Sequence, residues 1–128
     1  MCPPLTVSIV DDDSVVREAT ADLVNSLGYN VTMFASGEAF LESGEVERVS
    51  CLITDLQMPS VTGLELQRRL LAAGHKTPII FITAFPKGQA RDRALSAGAV
   101  AFLTKPFEEA TLIESLRAAL AARSLNNA

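Results

Sequence analysis

Histidine and cysteine, two residue types that commonly bind zinc, are scarce in this sequence. Its 128 residues include one histidine and two cysteines. Two isolated cysteines do not make a zinc site, and nothing in the sequence supports a Cys2–Cys51 disulfide. Cys51 opens an apolar segment and is predicted to be a small buried core residue. His75 lies in a turn between predicted elements and is interpreted as a solvated loop residue, so any phosphorylated histidine must come from another protein.

Long apolar runs and an excess of positive charge are also missing. No stretch reaches the ~18 apolar residues of a membrane span, and residues 1–5 lack the basic and apolar regions of a signal peptide. The expectation is therefore a cytoplasmic protein that does not bind a membrane. The formal net charge of −4 gives no support for direct nucleic-acid binding by this chain.

What is present is the composition of one globular domain. A length of 128 residues predicts a single domain spanning 1–128, and the hydrophobic fraction of 48% excludes a disordered chain. No internal repeat, low-complexity tract or linker interrupts it.

Apolar and amphipathic segments alternate five times along the chain. Apolar strands are predicted to start near residues 6, 30, 51, 78 and 101, and the alternating pattern of the second is typical of an edge strand. Helices are predicted over residues 14–27, 36–43, 63–73, 88–97 and 109–123, followed by a frayed tail at 124–128. Along the first helix, the spacing of Val15, Ala19, Leu23 and Leu27 predicts its apolar face.

A repeating strand–helix unit predicts parallel strands joined by right-handed crossovers. The expected fold class is therefore α/β: a doubly wound five-stranded parallel sheet in the order 2-1-3-4-5, flanked by five helices. In such a sheet the carboxyl ends of the strands share one edge, where sites form. Polar residues far apart in sequence should meet there.

Three consecutive carboxylates, Asp11, Asp12 and Asp13, follow the first predicted strand. Like charges about 4 Å apart repel by roughly 4 kcal/mol at an effective dielectric near 20, so the cluster is not there for stability. A bound cation would remove this repulsion, and a partly open set of oxygen ligands favours Mg²⁺. One acid can instead cap the next helix, a role that we assign to Asp13 or Ser14.

Polar residues also end the third, fourth and fifth predicted strands. Asp55 is separated from the helix predicted to start near Gly63, which places its carboxylate in a loop mouth facing the acid cluster. Carboxylates can attack phosphoryl groups to form an aspartyl phosphate. The Thr83 hydroxyl could donate to a phosphoryl oxygen, and the Lys105 ammonium could pair with the acids and with the incoming group.

Together these motifs resemble the response-regulator receiver domain of two-component signalling, in the CheY-like superfamily. The matching blocks are residues 9–13, 54–59 with Gly63, 82–84 and 98–102 with 105–107. The resemblance covers residues 5–122, taken as the domain core, and leaves 123–128 as a tail. Within the family the sequence is most similar to receivers of the FixJ type, which often precede a helix-turn-helix output domain.

The resemblance implies a magnesium-dependent phosphorelay. Asp55 would accept a phosphoryl group from a sensor histidine kinase or a phosphotransfer protein. Mg²⁺ would be held by Asp11, Asp12, Asp55 and the backbone carbonyl of Gln57. Such a domain is not an enzyme, because it catalyses only its own phosphorylation and dephosphorylation.

The resemblance also implies a switch. Lys105 and Thr83 would contact the phosphoryl oxygens, and Thr83 with Phe102 would form the switch pair. The shifted face, made by helix four, strand five and helix five, would bind a partner such as a second copy of the chain, with the segment to Phe107 at the interface. The output would be transcriptional, through a partner or a further domain. From the residues alone, Phe102 is predicted to be core packing.

Phe85, two residues after Thr83, occupies a position that tunes phosphoryl loss in receivers. A bulky ring there is predicted to restrict water and to lengthen the phosphorylated lifetime.

Three other functions compete with a switch. A Mg²⁺-dependent phosphohydrolase would need a second acid to activate water and a cap over its substrate, and neither is present after Asp55. A nucleotide-binding domain would need a glycine-rich loop after strand one, where acids stand instead. A phosphorylation-independent interaction module would not need the intact set of acids, hydroxyl and ammonium.

Overall fold

The computed structural model describes residues 5–56, 61–84, 88–105 and 108–126, apart from the side chains of residues 88, 90 and 122–126. Five strands alternate with five helices along the chain. The strands are β1 (Thr6–Val10), β2 (Asn30–Phe34), β3 (Cys51–Asp55), β4 (Ile79–Thr83) and β5 (Ala101–Thr104). The helices are α1 (Ser14–Ser26), α2 (Gly37–Glu42), α3 (Gly63–Ala72), α4 (Gly88–Ser96) and α5 (Glu109–Asn126).

All five strands form one parallel sheet in the order β2-β1-β3-β4-β5, which confirms the predicted fold class. The central strands β3 and β4 are buried along their whole length, because helices cover both faces of the sheet. β2 lies at one edge, as its alternating sequence predicted, and its side chains are partly or fully exposed.

Alternating residues of each strand pack into two separate cores, one on each face of the sheet. One core packs α1 and α5 against one face of the sheet, and the other packs α2, α3 and α4 against the opposite face. Cys51 is fully buried in the first core, where burial raises the pKa of its thiol to about 12. The predicted role of Cys51 as a small core residue is confirmed.

The predicted helix boundaries agree with the structure within one or two residues for the first four helices. α5 continues to Asn126, three residues beyond the predicted end at 123. The chain from 14 to 26 is helical, and the Asp13 side chain accepts hydrogen bonds from the amides of Val15 and Val16, which confirms Asp13 as the helix cap.

The predicted apolar face of α1 was only partly right, because Leu23 packs partly buried against the first core but the rest of the stripe is exposed. Val15 is 73% exposed and Leu27 is 37% exposed, whereas the buried residues are Thr20, Ala21 and Val24. A repeat of four residues advances more than one full turn, so a stripe at this spacing drifts around the helix and leaves the sheet-facing side.

Within the residues described, none of the helices is both long enough and apolar enough to cross a membrane.

Candidate functional site

Strand alternation places three charged residues on the same face at the carboxyl edge of the sheet. Ile9 of β1, Ile53 of β3 and Leu103 of β5 all belong to the core beneath α1 and α5. Since side chains alternate between faces, the residues two positions further along point to that face just beyond the core. These residues are Asp11, Asp55 and Lys105, separated by as many as 94 positions in sequence.

Lys105 lies between the two carboxylates. Its Nζ atom is 3.1 Å from Oδ2 of Asp11 and 3.1 Å from Oδ2 of Asp55. The side chain of Lys105 is 16% exposed, and those of Asp11 and Asp55 are 5% and 9% exposed. The backbone amide of Lys105 donates to the Thr83 carbonyl at 2.8 Å. Pairing with β4 therefore fixes the backbone position from which the Lys105 side chain extends. The sequence-based pairing of Lys105 with the acids is confirmed.

The carboxylates of Asp11, Asp12 and Asp55 converge, with one oxygen of each lying within 4.8 Å of the others. Asp11 and Asp55 are buried, whereas Asp12 is exposed. The Asp13 amide donates to Oδ1 of Asp11 at 2.9 Å and holds that carboxylate in place. Three hard oxygen donors with one side open to solvent fit a small divalent cation such as Mg²⁺, which keeps several water ligands.

Charge and burial shift the acid–base properties of this site. Burial raises the pKa of Asp11 above its ordinary value, and the nearby charge of Asp55 adds to it; this outweighs the hydrogen bonds from the Asp13 amide and Lys105. Burial alone would lower the pKa of Lys105, but its hydrogen bonds to Asp11 and Asp55 and their negative charges raise it. Lys105 therefore stays an ammonium at neutral pH. Any further positive charge nearby would stabilise the ionised form of Asp11.

Thr83 ends β4 next to Asp55 and Lys105, but its side chain lies on the opposite face of the sheet. Its neighbour on the same face, Phe81, packs in the core beneath α2, α3 and α4. Phe102 packs partly buried against that same core, with its ring centroid 6.3 Å from that of Phe81. Thr83 is fully buried. The core packing predicted for Phe102 from the residues alone is confirmed. Gln57, Phe85 and Phe107 lie outside the described residues, so the predictions that involve them stay predictions.

The structure adds two contacts at this site that the sequence did not predict. Arg17 donates from Nη1 to the backbone carbonyl of Asp11 at 2.7 Å, which places a guanidinium beside the acids. The available signal was an arginine one helical turn after Asp13. Gly63 starts α3 against β3: its amide donates to Leu56 at 2.9 Å, and a Cβ atom built on it would lie 2.5 Å from the carbonyl oxygen of Asp55.

Removing the ammonium should destabilise the folded protein. In Lys105→Met, Asp11 and Asp55 lose the cation between them, and we expect the free energy of unfolding at pH 7 to fall by about 1–3 kcal/mol. The deficit should shrink as pH falls. The Lys105 hydrogen bond and charge lower the pKa of Asp11, so their loss raises that pKa further in the folded variant. Protonation of Asp11 as pH falls therefore stabilises the variant more than the wild type.

Urea denaturation at pH 7 and pH 5 measures this effect. Lys76→Met is the matched control, since Lys76 is exposed. An equal loss of stability at both pH values, or the same loss in Lys76→Met, would contradict the assigned role of Lys105.

Comparison with known proteins decides the family. The family model "Response regulator receiver domain" matches residues 7–117. The chain belongs to this family. Receiver domains are signalling domains of two-component systems, where they interact with histidine kinases.

Individual relatives place this receiver domain close to the FixJ type, as the sequence predicted. It is 43% identical to the response regulator protein TodT of Pseudomonas putida over 89% of the chain and 50% of TodT. It is 40% identical to the transcriptional regulatory protein FixJ of Azorhizobium caulinodans over 91% of the chain and 55% of FixJ. The chain thus spans about half the length of the curated relatives it matches.

Solved structures of two response regulators have the same fold as this chain. The crystal structure of FixJ-N superposes with a TM-score of 0.83 at 38% identity, covering 94% of this chain and 96% of that one. The response regulator StyR superposes with a TM-score of 0.90 at 39% identity, covering 98% of this chain and 63% of that one.

Proposed function

We propose that Asp55 of this receiver domain accepts a phosphoryl group from a phosphohistidine of a sensor histidine kinase or phosphotransfer protein. The observation that carries the proposal is the position of Lys105, 3.1 Å from both Asp11 and Asp55. An ammonium held at this position stands beside the attacking carboxylate, where it can neutralise charge on the incoming group. The exposed side chain of Asp12 marks the side open to a donor.

In the transfer, a carboxylate oxygen of Asp55 forms a bond to phosphorus as the bond from phosphorus to the donor imidazole nitrogen breaks. The electron pair of that bond returns to the imidazole, which the donor protein keeps. Lys105 can move its hydrogen bond from the Asp55 carboxylate to a phosphoryl oxygen without leaving the site. Thr83, at the end of the neighbouring strand, is the second donor that we assign to the phosphoryl oxygens.

Asp11, Asp12 and Asp55 would hold Mg²⁺, with the backbone carbonyl of Gln57 as a further ligand. When bound, the ion supplies positive charge that offsets the negative charge of the phosphoryl oxygens. The protein holds the three carboxylates close together in spite of their repulsion, so the donor set is preorganised for a cation.

Phosphorylation adds about −1.5 to −2 charges to a largely buried site. We propose that Thr83 and Phe102 convert this charge into a shift of the face made by α4, β5 and α5, which then binds a partner such as a second copy of the chain. The similarity to FixJ, a transcriptional regulatory protein, supports a transcriptional output, through a partner or a further domain. The domain would catalyse only its own phosphorylation and dephosphorylation.

Metal-dependent uptake of one phosphoryl group tests the proposal. We expect intact mass spectrometry to show a single phosphoryl adduct after incubation with acetyl phosphate and Mg²⁺, because the site needs a cation to offset its negative charge. Excess chelator should remove the adduct. Folded protein that takes up no phosphoryl group with Mg²⁺ present would favour the phosphorylation-independent interaction module instead.

A further inference from the structure

Helix α4 is attached to the rest of the protein by few buried groups. Among its described side chains, at residues 89 and 91–96, Ala94 alone is buried, and Ala94 belongs to the core beneath α2, α3 and α4. The other six described side chains are exposed. A helix that buries so little apolar surface gains little stability from packing, so single polar contacts weigh heavily in where it sits.

One such contact comes from α3. Gln67 is a polar residue with only 4% of its surface exposed, and its Nε2 atom donates to the backbone carbonyl of Ala94 at 3.1 Å. The same carbonyl also accepts from the Ala99 amide at 3.0 Å as the chain leaves α4. A buried side-chain amide without a partner is unfavourable, so the arrangement that pairs Gln67 with Ala94 is favoured.

The contact lies at one end of the helix. The carboxyl end of α4 is further closed by the amides of Ala97 and Gly98, which donate to Arg93 and Leu95, and Val100 then joins Ile79 at the start of the β4–β5 ladder. The described side chains of the amino-terminal part, Gln89 and Arg91–Arg93, are exposed. The amino end of α4 follows β4 and therefore lies at the carboxyl edge of the sheet, where Asp55 and Thr83 end their strands.

We propose that Gln67 is a positioning residue for α4: it holds the carboxyl end of the helix at Ala94, so that the amino end moves when Asp55 is phosphorylated. The movement part of this inference rests on the proposed function. The helix then swings about a fixed point instead of sliding as a unit. Gln67 thereby acts on the switching face without contacting the phosphoryl group.

Amide hydrogen exchange in the unphosphorylated protein tests the fixed point. In Gln67→Met, which keeps an unbranched side chain of similar size but loses the donor, we expect the amides of Ala97, Gly98 and Ala99 to exchange about fivefold faster than in the wild type. Val24→Ala is the matched control, since it weakens the other core without touching α4. Unchanged exchange in Gln67→Met, or the same local pattern in Val24→Ala, would overturn the proposal.

Exchange measured with Mg²⁺ and beryllofluoride, a phosphoryl mimic, tests the swing. In the wild type we expect changed exchange at Asp92 and Arg93 but less than about twofold change at Ala97–Ala99. In Gln67→Met, amide exchange should change both at Asp92 and Arg93 and at Ala97–Ala99. Equal changes at both ends of α4 in the wild type would overturn the swing. If beryllofluoride alters no amide in either protein, the proposed function and the swing both fail, and the first comparison alone decides whether Gln67 anchors α4.

Discussion

Asp55→Asn abolishes phosphoryl uptake from acetyl phosphate in the presence of Mg²⁺. The asparagine amide is uncharged and a poor nucleophile, so no bond to phosphorus forms at this position. We expect the neighbouring acids not to replace it. Our proposal assigns Asp11 and Asp12 to the bound cation, and Asp13 accepts hydrogen bonds from the start of α1. We therefore expect intact mass spectrometry to show no adduct above a sample without donor.

The matched control is Asp22→Asn, the same chemical change at an exposed position of α1. It should take up the phosphoryl group at the wild-type rate. Asp55→Asn should remain folded, because Lys105 keeps its contact with Asp11 and one of two neighbouring negative charges is removed. An adduct on Asp55→Asn that matches the wild type in amount would show that another residue is the acceptor.

Gly63→Ala destabilises the protein through a collision with the backbone of β3. The added Cβ atom would lie 2.5 Å from the carbonyl oxygen of Asp55, 2.9 Å from Cα of Leu56 and 3.0 Å from the Phe81 ring. Backbone atoms at the end of a fully buried strand cannot move aside, so the start of α3 must shift. We expect the free energy of unfolding to fall by about 3 kcal/mol, which lowers the Tm by on the order of 10 °C.

Gly37→Ala is the matched comparison. Its Cβ atom would lie 2.9 Å from Cγ1 and 3.2 Å from Cβ of Val61, a milder overlap than the 2.5 Å approach of Gly63 to a strand carbonyl. We expect a loss below about 1.5 kcal/mol in this variant. Thermal and urea unfolding of both variants measure the difference. Equal losses, or a Gly63→Ala protein as stable as the wild type, would show that α3 is not held tightly against β3.

Phosphoryl uptake by Gly63→Ala should also be slower than in the wild type at a temperature where both are folded. Gly63 approaches the carbonyl of Asp55, the proposed acceptor, so a shift of α3 or β3 displaces Asp55 relative to Lys105.

The sequence by itself determined the architecture of this receiver domain and which polar residues meet at the carboxyl edge of its sheet. Five apolar segments alternating with amphipathic ones admit few arrangements other than a parallel α/β sheet, since strands joined by helices must cross over in one sense. Asp11, Asp12, Asp55, Thr83 and Lys105 each end or directly follow a strand, and a parallel sheet gathers such residues at one edge. The placement of these residues was therefore predictable without coordinates.

Only the tertiary structure decided which faces and contacts those elements use. The buried residues of α1 are Thr20, Ala21 and Val24, whereas Val15, Ala19 and Leu27 of the predicted apolar face are exposed. The contact of Arg17 with Asp11, the backbone approach of Gly63 to Asp55 and the bond from Gln67 to Ala94 each join groups on different elements or loops. Such contacts depend on distances between packed elements, and a linear pattern of polar and apolar residues does not contain those distances.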